Sequence, residues 1–425
     1  MKFGLFYEHQ IPRPWNEGDE QKLFQDALDQ VELADRLGFD YVWEVEHHFL
    51  EEYSHSSAPE VFLGACSQRT KQIRLGHGIV LMPPAYNHPA RVAERIATLD
   101  LVSNGRVDWG TGESASHIEL GGFNVHPALK REMWEECTRE TAKMMVQTPY
   151  PGFEGKHFSM PHRNVLPKPV QKPHPPIWVA CSSRDTIRYA ARHGIGALTF
   201  AFVDQDDAKF WVEEYYEIFE KECHPIGQAV NPNVAMVSGF SCHENEETAM
   251  DRGLDGFRFF RFALAHYYYA GSQVPGHTDI WELYRQAPQE PREARGGIGT
   301  PDQIREHLIK FEEMGVDQVV FIQQAGLNRH EHICESLELF ASRVMPEFKE
   351  RDEVYVRQKA ERLSSAIEAA ESRTPPLTTL DDVPVVDSYP VLKKKREQQD
   401  SDEVEMTEDG PAFLLSIEGG KRTKK

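Results

Sequence analysis

Glu46, His47 and His48 stand side by side in the stretch VWEVEHHF (42–49), directly after an apolar, strand-like run. Imidazole titrates near neutral pH, so it can take or give a proton, and a neighbouring carboxylate holds its tautomer and raises its pKa. Side chains alternate faces along a strand, so at most two of the three share one cavity unless the strand has ended. The triplet equally fits a polar cluster bonded to neighbouring loops. A metal site would need a further ligand, for which His77 is the nearest candidate, and no HExxH or comparable spacing supplies one.

A second chemical stretch is VACSSRDT (179–186), where small and hydroxyl residues run from a strand into a helix. Free N–H groups at that helix start, with the Ser182, Ser183 and Thr186 hydroxyls, would cradle a phosphate, and Arg184 would add a charged fork. The same residues also read as ordinary helix capping by Ser182 or Ser183. The glycines of GHGI (76–79) and WGTGES (109–114) let a planar ligand approach the backbone closely, or else mark bulges and tight packing.

Elements of the right kind exist to carry these groups. Short runs rich in Val, Ile, Phe and Trp alternate with stretches of helical periodicity. Strands are expected at 3–7, 41–45, 73–82, 106–113, 177–181, 197–202, 234–242 and 319–324, each followed by a helix. Eight β/α steps with right-handed crossovers point to a closed (β/α)8 TIM barrel, and no GxGxxG follows the first strand to suggest a dinucleotide-binding sheet. In such barrels the site lies at the C-terminal strand ends, which are where the candidates above fall. Further strand-end candidates are Phe200, Ala201 and Phe202.

Two regions break the rhythm. Residues 271–300, rich in Pro, Gly and charge, form an insertion before the last helix–strand pair, of the kind that serves as a mobile lid. Beyond 348 the chain turns polar, with KKKR at 393–396 and an acidic run after it, and 349–425 is expected to be a disordered tail on a 1–348 barrel.

The 425 residues carry a formal charge of −21, which argues against a nucleic-acid partner. Six scattered cysteines without a CxxC pair suit a reduced compartment. No apolar run reaches the roughly 18 residues of a membrane span, and MKFGLFYE enters a strand without a leader's apolar region, so a cytoplasmic protein is expected.

The segments MKFGLF, FDYVWEVEHHF, GHGIVLMPPAYNHPARVAERIATLDLVSNGR (76–106), IWVACSS (177–183) and GTPDQIREHLIKFEEMGVDQVVFIQ (299–323) together resemble the bacterial luciferase-like, flavin-dependent monooxygenases. The resemblance spans about residues 1–348. It implies reduced FMN supplied by a separate NAD(P)H:flavin reductase, O2 as co-substrate, and a small lipophilic substrate. It further implies a homodimer formed through the helices near 58–70 and 89–102.

Carried onto this chain, the resemblance makes His47 the catalytic histidine, with Glu46 and His48 shaping its surroundings. It puts a non-prolyl cis peptide at Gly78-Ile79 against the flavin ring, and the flavin phosphate at Ala180, Cys181 and Ser182. Gly112 stands where bacterial luciferase has a reactive cysteine, and Glu113 where it has a phosphate-binding arginine; Arg184 is the substitute candidate, with Thr186 beside it. A deazaflavin-dependent oxidoreductase and a non-catalytic flavin-binding protein are the alternatives.

Overall fold

A computed structural model describes residues 1–199, 205–288, 290–294 and 296–386. The strand-end candidates Phe200, Ala201 and Phe202, and the stretch 387–425 with KKKR, lie outside the described residues.

Eight parallel strands close on themselves: β1 (Lys2–Tyr7), β2 (Tyr41–Glu44), β3 (Arg74–His77), β4 (Val107–Gly112), β5 (Ile177–Cys181), β6 (Gly196–Thr199), β7 (Val234–Ser238) and β8 (Gln318–Gln323). The spatial order is β3-β2-β1-β8-β7-β6-β5-β4, and β4 returns to β3 through Leu75↔Val107 and Gly76↔Asp108. This is the TIM barrel expected from eight alternating steps. In that closed order β1 lies across the barrel from β5, so residues following β1 and β5 face each other over the mouth.

The barrel interior is filled by large side chains that neighbouring glycines accommodate. Trp43 and Trp178 meet edge to face with centroids 5.3 Å apart. A Cβ at Gly76 would lie 2.2 Å from the Trp43 ring, and one at Gly196 2.3 Å from the Trp178 ring. Phe6, Leu198, Val237 and Val320 complete this inner core, while Phe3, Leu5, Val42 and Leu75 pack outward beneath the helices. Truncating either buried tryptophan to alanine would cost about 3–5 kcal/mol.

Helix boundaries follow their local signals. α1 (Asp19–Leu37) ends on Gly38, whose φ of 87° suits a residue without a Cβ. α2 (Pro59–Arg69) and α3 (Pro89–Val102) both start with proline, and α3 is capped by the His88 side chain. α4 (Lys130–Val146) follows β4, and α5 (Arg184–Arg192) opens with a Ser183–Thr186 capping box. α6 is Gln205–Glu222 and α7 is Glu246–Ala265.

Two expected strands are broken rather than continuous. The third stops at His77 and resumes as Val80–Leu81, and the seventh stops at Ser238 before Phe240–Cys242 pairs with Gly297–Gly299 in a small separate ladder. A hairpin, Tyr150–Glu154 with Ser159–Arg163, and a six-residue helix, His117–Gly122, had no periodic signal to announce them. The 271–300 insertion contains a short helix, Ile280–Gln286, whose first N–H groups (Ile280 and Trp281) are accepted by the buried Glu52 carboxylate at 2.5 and 3.1 Å.

The boundary expected at 348 is corrected. After α8 (Pro301–Glu313) and α9 (His330–Arg343), Met345–Glu371 forms a 27-residue helix, α10, and the compact unit runs to Leu377. Its inward positions recur at helical spacing (Phe348, Asp352, Tyr355, Lys359, Leu363, Ala370), but two of them are charged, which hid the periodicity. Their charges are matched by the barrel: Asp352 accepts from Lys2 at 2.5 Å and Lys359 donates to Asp317 at 2.6 Å.

Among the described residues no helix is long and apolar enough to cross a membrane, and all six cysteines are unpaired.

Candidate active site

The mouth of the barrel holds a cavity of about 270 Å³ at the C-terminal strand ends. β2 ends at Glu44, so 45–48 are no longer constrained to alternate, and the chain turns through Phe49 at a φ of 64°. That turn sends His47 into the cavity. Its Nδ1 lies 2.9 Å from Glu119 Oε1, and its Nε2 lies 3.6 Å from Glu8 Oε2 and 3.5 Å from the Tyr268 hydroxyl.

Glu119 is held by three partners. It also accepts from the His48 backbone N–H at 2.9 Å and from Ser114 Oγ at 2.8 Å, Ser114 being set by a left-handed φ of 61°. Glu8 follows β1; its Oε1 accepts from Tyr53 at 3.0 Å, while its Oε2 is buried without a hydrogen-bond partner.

Burial opposes the charge of His47, but Glu119 and Glu8 outweigh it and push the pKa up to about 9. Burial raises Glu8 to about 7, against the lowering pull of His47. Burial also opposes the charge of Glu119, yet the imidazolium and the hydrogen bonds hold its carboxyl below the ordinary value. Near neutral pH the site therefore contains an imidazolium locked to one carboxylate, and a second carboxyl poised to titrate.

Glu46 and His48, grouped with His47 from sequence, do not line this cavity. Glu46 accepts from the Leu81 N–H at 2.8 Å and from Asn87 Nδ2 at 2.8 Å, tying the β2 turn to the segment after Ile79. His48 bonds Glu46 at 3.2 Å and packs against Phe123. His77 points elsewhere: burial drags its pKa down to about 4. Among the described residues no three metal-ligating side chains are grouped.

Gly78, Ile79 and Gly112 form a wall of the cavity. A Cβ on Gly112 would sit 2.3 Å from Ile79 Cδ1, so the missing side chain leaves room for the Ile79 side chain. The expected cis bond at Gly78-Ile79 is absent. The cis peptides among the described residues all precede proline, and Gly78 meets the strand break by donating to the Glu44 carbonyl at 2.6 Å.

Beside Gly112, on the neighbouring strand β5 and across from the end of β1, Ala180, Ser182 and Thr186 also line the cavity. Cys181 alternates away, buried, with its thiol pushed up to about 12 by burial. Arg184 is also outside the cavity: it forks onto Glu214 at 2.7 and 2.9 Å and stacks over Phe210. The cations at this end are instead Lys130 and Arg131. Arg131 forks onto Glu113 at 2.7 and 2.8 Å, and Lys130 lies 3.6 Å from the same carboxylate, so Glu113 is neutralised and a positive charge remains.

The sequence reading missed Glu8, Glu119, Lys130, Arg131 and Tyr268. Glu8 was findable, since it directly follows the first strand. The others come from loops and helices that had no strand-end signal.

These walls suit flavin mononucleotide. The buried Glu8–His47 pair sits at one side, the Gly78, Ile79 and Gly112 stretch gives an apolar face that would receive a ring, and two hydroxyls with two cations in the same lining would receive a phosphate.

A (β/α)8 barrel with proton-handling groups at its C-terminal mouth is the architecture of an enzyme. The chain belongs to the luciferase-like monooxygenase family, whose model matches residues 1–318, and it is an enzyme of that monooxygenase class.

Uncharacterized protein y4wF of Sinorhizobium fredii is 34% identical over 171 residues, 40% of this chain and 49% of that protein. The oxygenase component of the flavin-dependent trigonelline monooxygenase of Acinetobacter baylyi is 25% identical over 359 residues, 82% of this chain and 96% of that protein. The crystal structure of monooxygenase RslO1 from Streptomyces bottropensis matches with a TM-score of 0.67 at 26% identity, over 82% of this chain and all of that one. The chain thus spans about half of the first relative and nearly all of the second.

Proposed function

We propose that this chain is the oxygenase component of a two-component monooxygenase, which uses reduced FMN from a separate NAD(P)H:flavin reductase and O2 to oxygenate a small lipophilic compound. The observation that carries the reading is the presence, in one cavity, of the His47–Glu8 pair held by Glu119 together with the Ser182 and Thr186 hydroxyls and the Lys130 and Arg131 cations. The full-length relative named as a flavin-dependent oxygenase component supports the cofactor class and the separate reductase.

When bound, reduced flavin supplies the electrons that activate O2 and the chemistry that passes one oxygen atom to a substrate. Glu119, accepting at Nδ1, fixes the His47 ring so that its Nε2–H points toward the cavity. With its pKa near 9, His47 holds that proton at neutral pH and presents a positive charge to whatever negative charge develops there. Glu8, near 7, is the group that accepts or returns a proton across Nε2.

Gly78, Ile79 and Gly112 position the ring by shape, and Arg131 and Lys130 orient the phosphate. Leu264 and Tyr268 supply apolar lining that keeps water from the reacting atoms, and we assign the role of lid to the 271–300 insertion, which follows them in the chain. The exposed Val61 on α2 and Leu101 and Val102 on α3 support a homodimer through those helices; a cytoplasmic location belongs to the same proposal.

The test is oxygen uptake with a general flavin reductase and a panel of lipophilic compounds under isotopically labelled O2. Product carrying one labelled atom, lost in His47→Ala, is the expected result. Turnover only with reduced deazaflavin in the absence of O2, or flavin binding without any product, would overturn the reading.

A further inference from the structure

At the opposite, N-terminal mouth of the barrel lies a second cavity of about 300 Å³, bounded on one side by α10. Its walls include Trp178 and Tyr41 from the barrel and Val356, Ala360 and Leu363 from the helix. The family match ends at 318, so the helical wall belongs to the part of this chain beyond it.

The charged groups around the cavity are already paired. Asp317 accepts from Lys359 at 2.6 Å, from Tyr355 at 3.1 Å, from the Val234 N–H at 2.8 Å and from Tyr216. Lys359 also donates to Asn233 at 2.7 Å, and Asp352 is matched by Lys2. Gln318 is different. It is 1% exposed, lines the cavity, and both its Nε2 and its Oε1 are buried without a hydrogen-bond partner. Gly4 makes room for it: a Cβ there would lie 3.2 Å from Gln318 Nε2.

A carboxamide with donor and acceptor both unmet is complementary to another amide edge, and the surrounding charges cancel, so a charged ligand gains nothing from them. We propose that this cavity is a second binding site, for a small, neutral, planar molecule carrying an N–H donor next to a C=O acceptor, such as a lactam or primary carboxamide. Its edge pairs with Gln318 and its ring lies among Trp178, Tyr41 and the α10 side chains.

The probe is 2-pyridone, titrated into the full-length protein by ligand-observed NMR, beside N-methyl-2-pyridone, which lacks the donor. Saturable binding of 2-pyridone, weakened about tenfold or more by N-methylation and by Gln318→Leu, is expected. Ala360→Phe, at an exposed helix position that lines the cavity, should abolish binding without touching the barrel core, which keeps the test informative if Gln318→Leu fails to fold. His47→Ala should leave the affinity unchanged. Equal affinity for both pyridones, no saturable binding, or binding untouched by Ala360→Phe and removed by His47→Ala would overturn the proposal.

Discussion

His47 and Glu119 are joined at 2.9 Å through Nδ1 and Oε1, and this bond sets the direction of the imidazole and, with Glu8, favours its charge. The two residues are 72 positions apart, His47 in the segment after β2 and Glu119 in the short helix His117–Gly122, so the barrel, not the local sequence, brings them together. Glu119→Gln retains a hydrogen-bonding side chain but removes the charge. The His47 pKa should fall from about 9 toward its ordinary value, and the alkaline limb of the rate profile should move to lower pH with it. Near pH 8 the loss in kcat should be about 10- to 100-fold, with FMN affinity changed far less. A pH–rate profile beside an NMR titration of His47 measures both.

Glu8 gives a stability test with a defined sign. Its folded pKa, about 7, lies above the ordinary 4.5, so folding favours the protonated form. The burial penalty is absent below the ordinary value, grows as the pH rises through 4.5, and is complete above about 7. Glu8→Gln keeps an acceptor for Tyr53 and removes that penalty. It should stabilise the protein by about 1–3 kcal/mol near pH 8 and leave it unchanged near pH 4. Denaturant melts at the two pH values are the measurement.

Two glycines on one strand should behave differently. At Gly112 a Cβ meets the end of the Ile79 side chain at 2.3 Å, which can swing into the cavity. Gly112→Ala should therefore weaken FMN binding about tenfold with a stability loss of about 1 kcal/mol. At Gly110 a Cβ would lie 1.9 Å from the His77 carbonyl oxygen, which cannot yield. Gly110→Ala should cost about 3 kcal/mol or more and lower soluble yield. Thermal melts and flavin titrations separate the two cases.

The proposed phosphate end is tested by phosphate preference. Wild type should bind FMN more tightly than riboflavin, and Arg131→Met should reduce that preference about tenfold. Arg184→Met should leave it intact, because Arg184 is spent on Glu214 and Phe210 outside the cavity. Side-by-side titrations with both flavins give the answer.

The barrel was legible because its strands are apolar and punctuated: Gly38, Pro59, Pro89 and the Ser183 cap all fall at real element ends. His47 was legible because it follows such a strand. Its companions were harder to assign. Strand alternation could not place Glu46 and His48 once β2 had stopped at Glu44, and Arg184 looked like a phosphate fork until Glu214, 30 residues away, claimed it. Glu119 and Arg131 act through loop and helix geometry that no residue spacing encodes. The α10 helix was read as polar because its inward Asp352 and Lys359 find their partners only in the folded barrel.

The most direct measurement is a crystal structure of the protein soaked with FMN. The ring should lie against Gly78, Ile79 and Gly112 on the His47 side, with the phosphate at Ser182, Thr186, Lys130 and Arg131. FMN bound outside this mouth, or with its phosphate at the His47–Glu8 wall, would contradict the account.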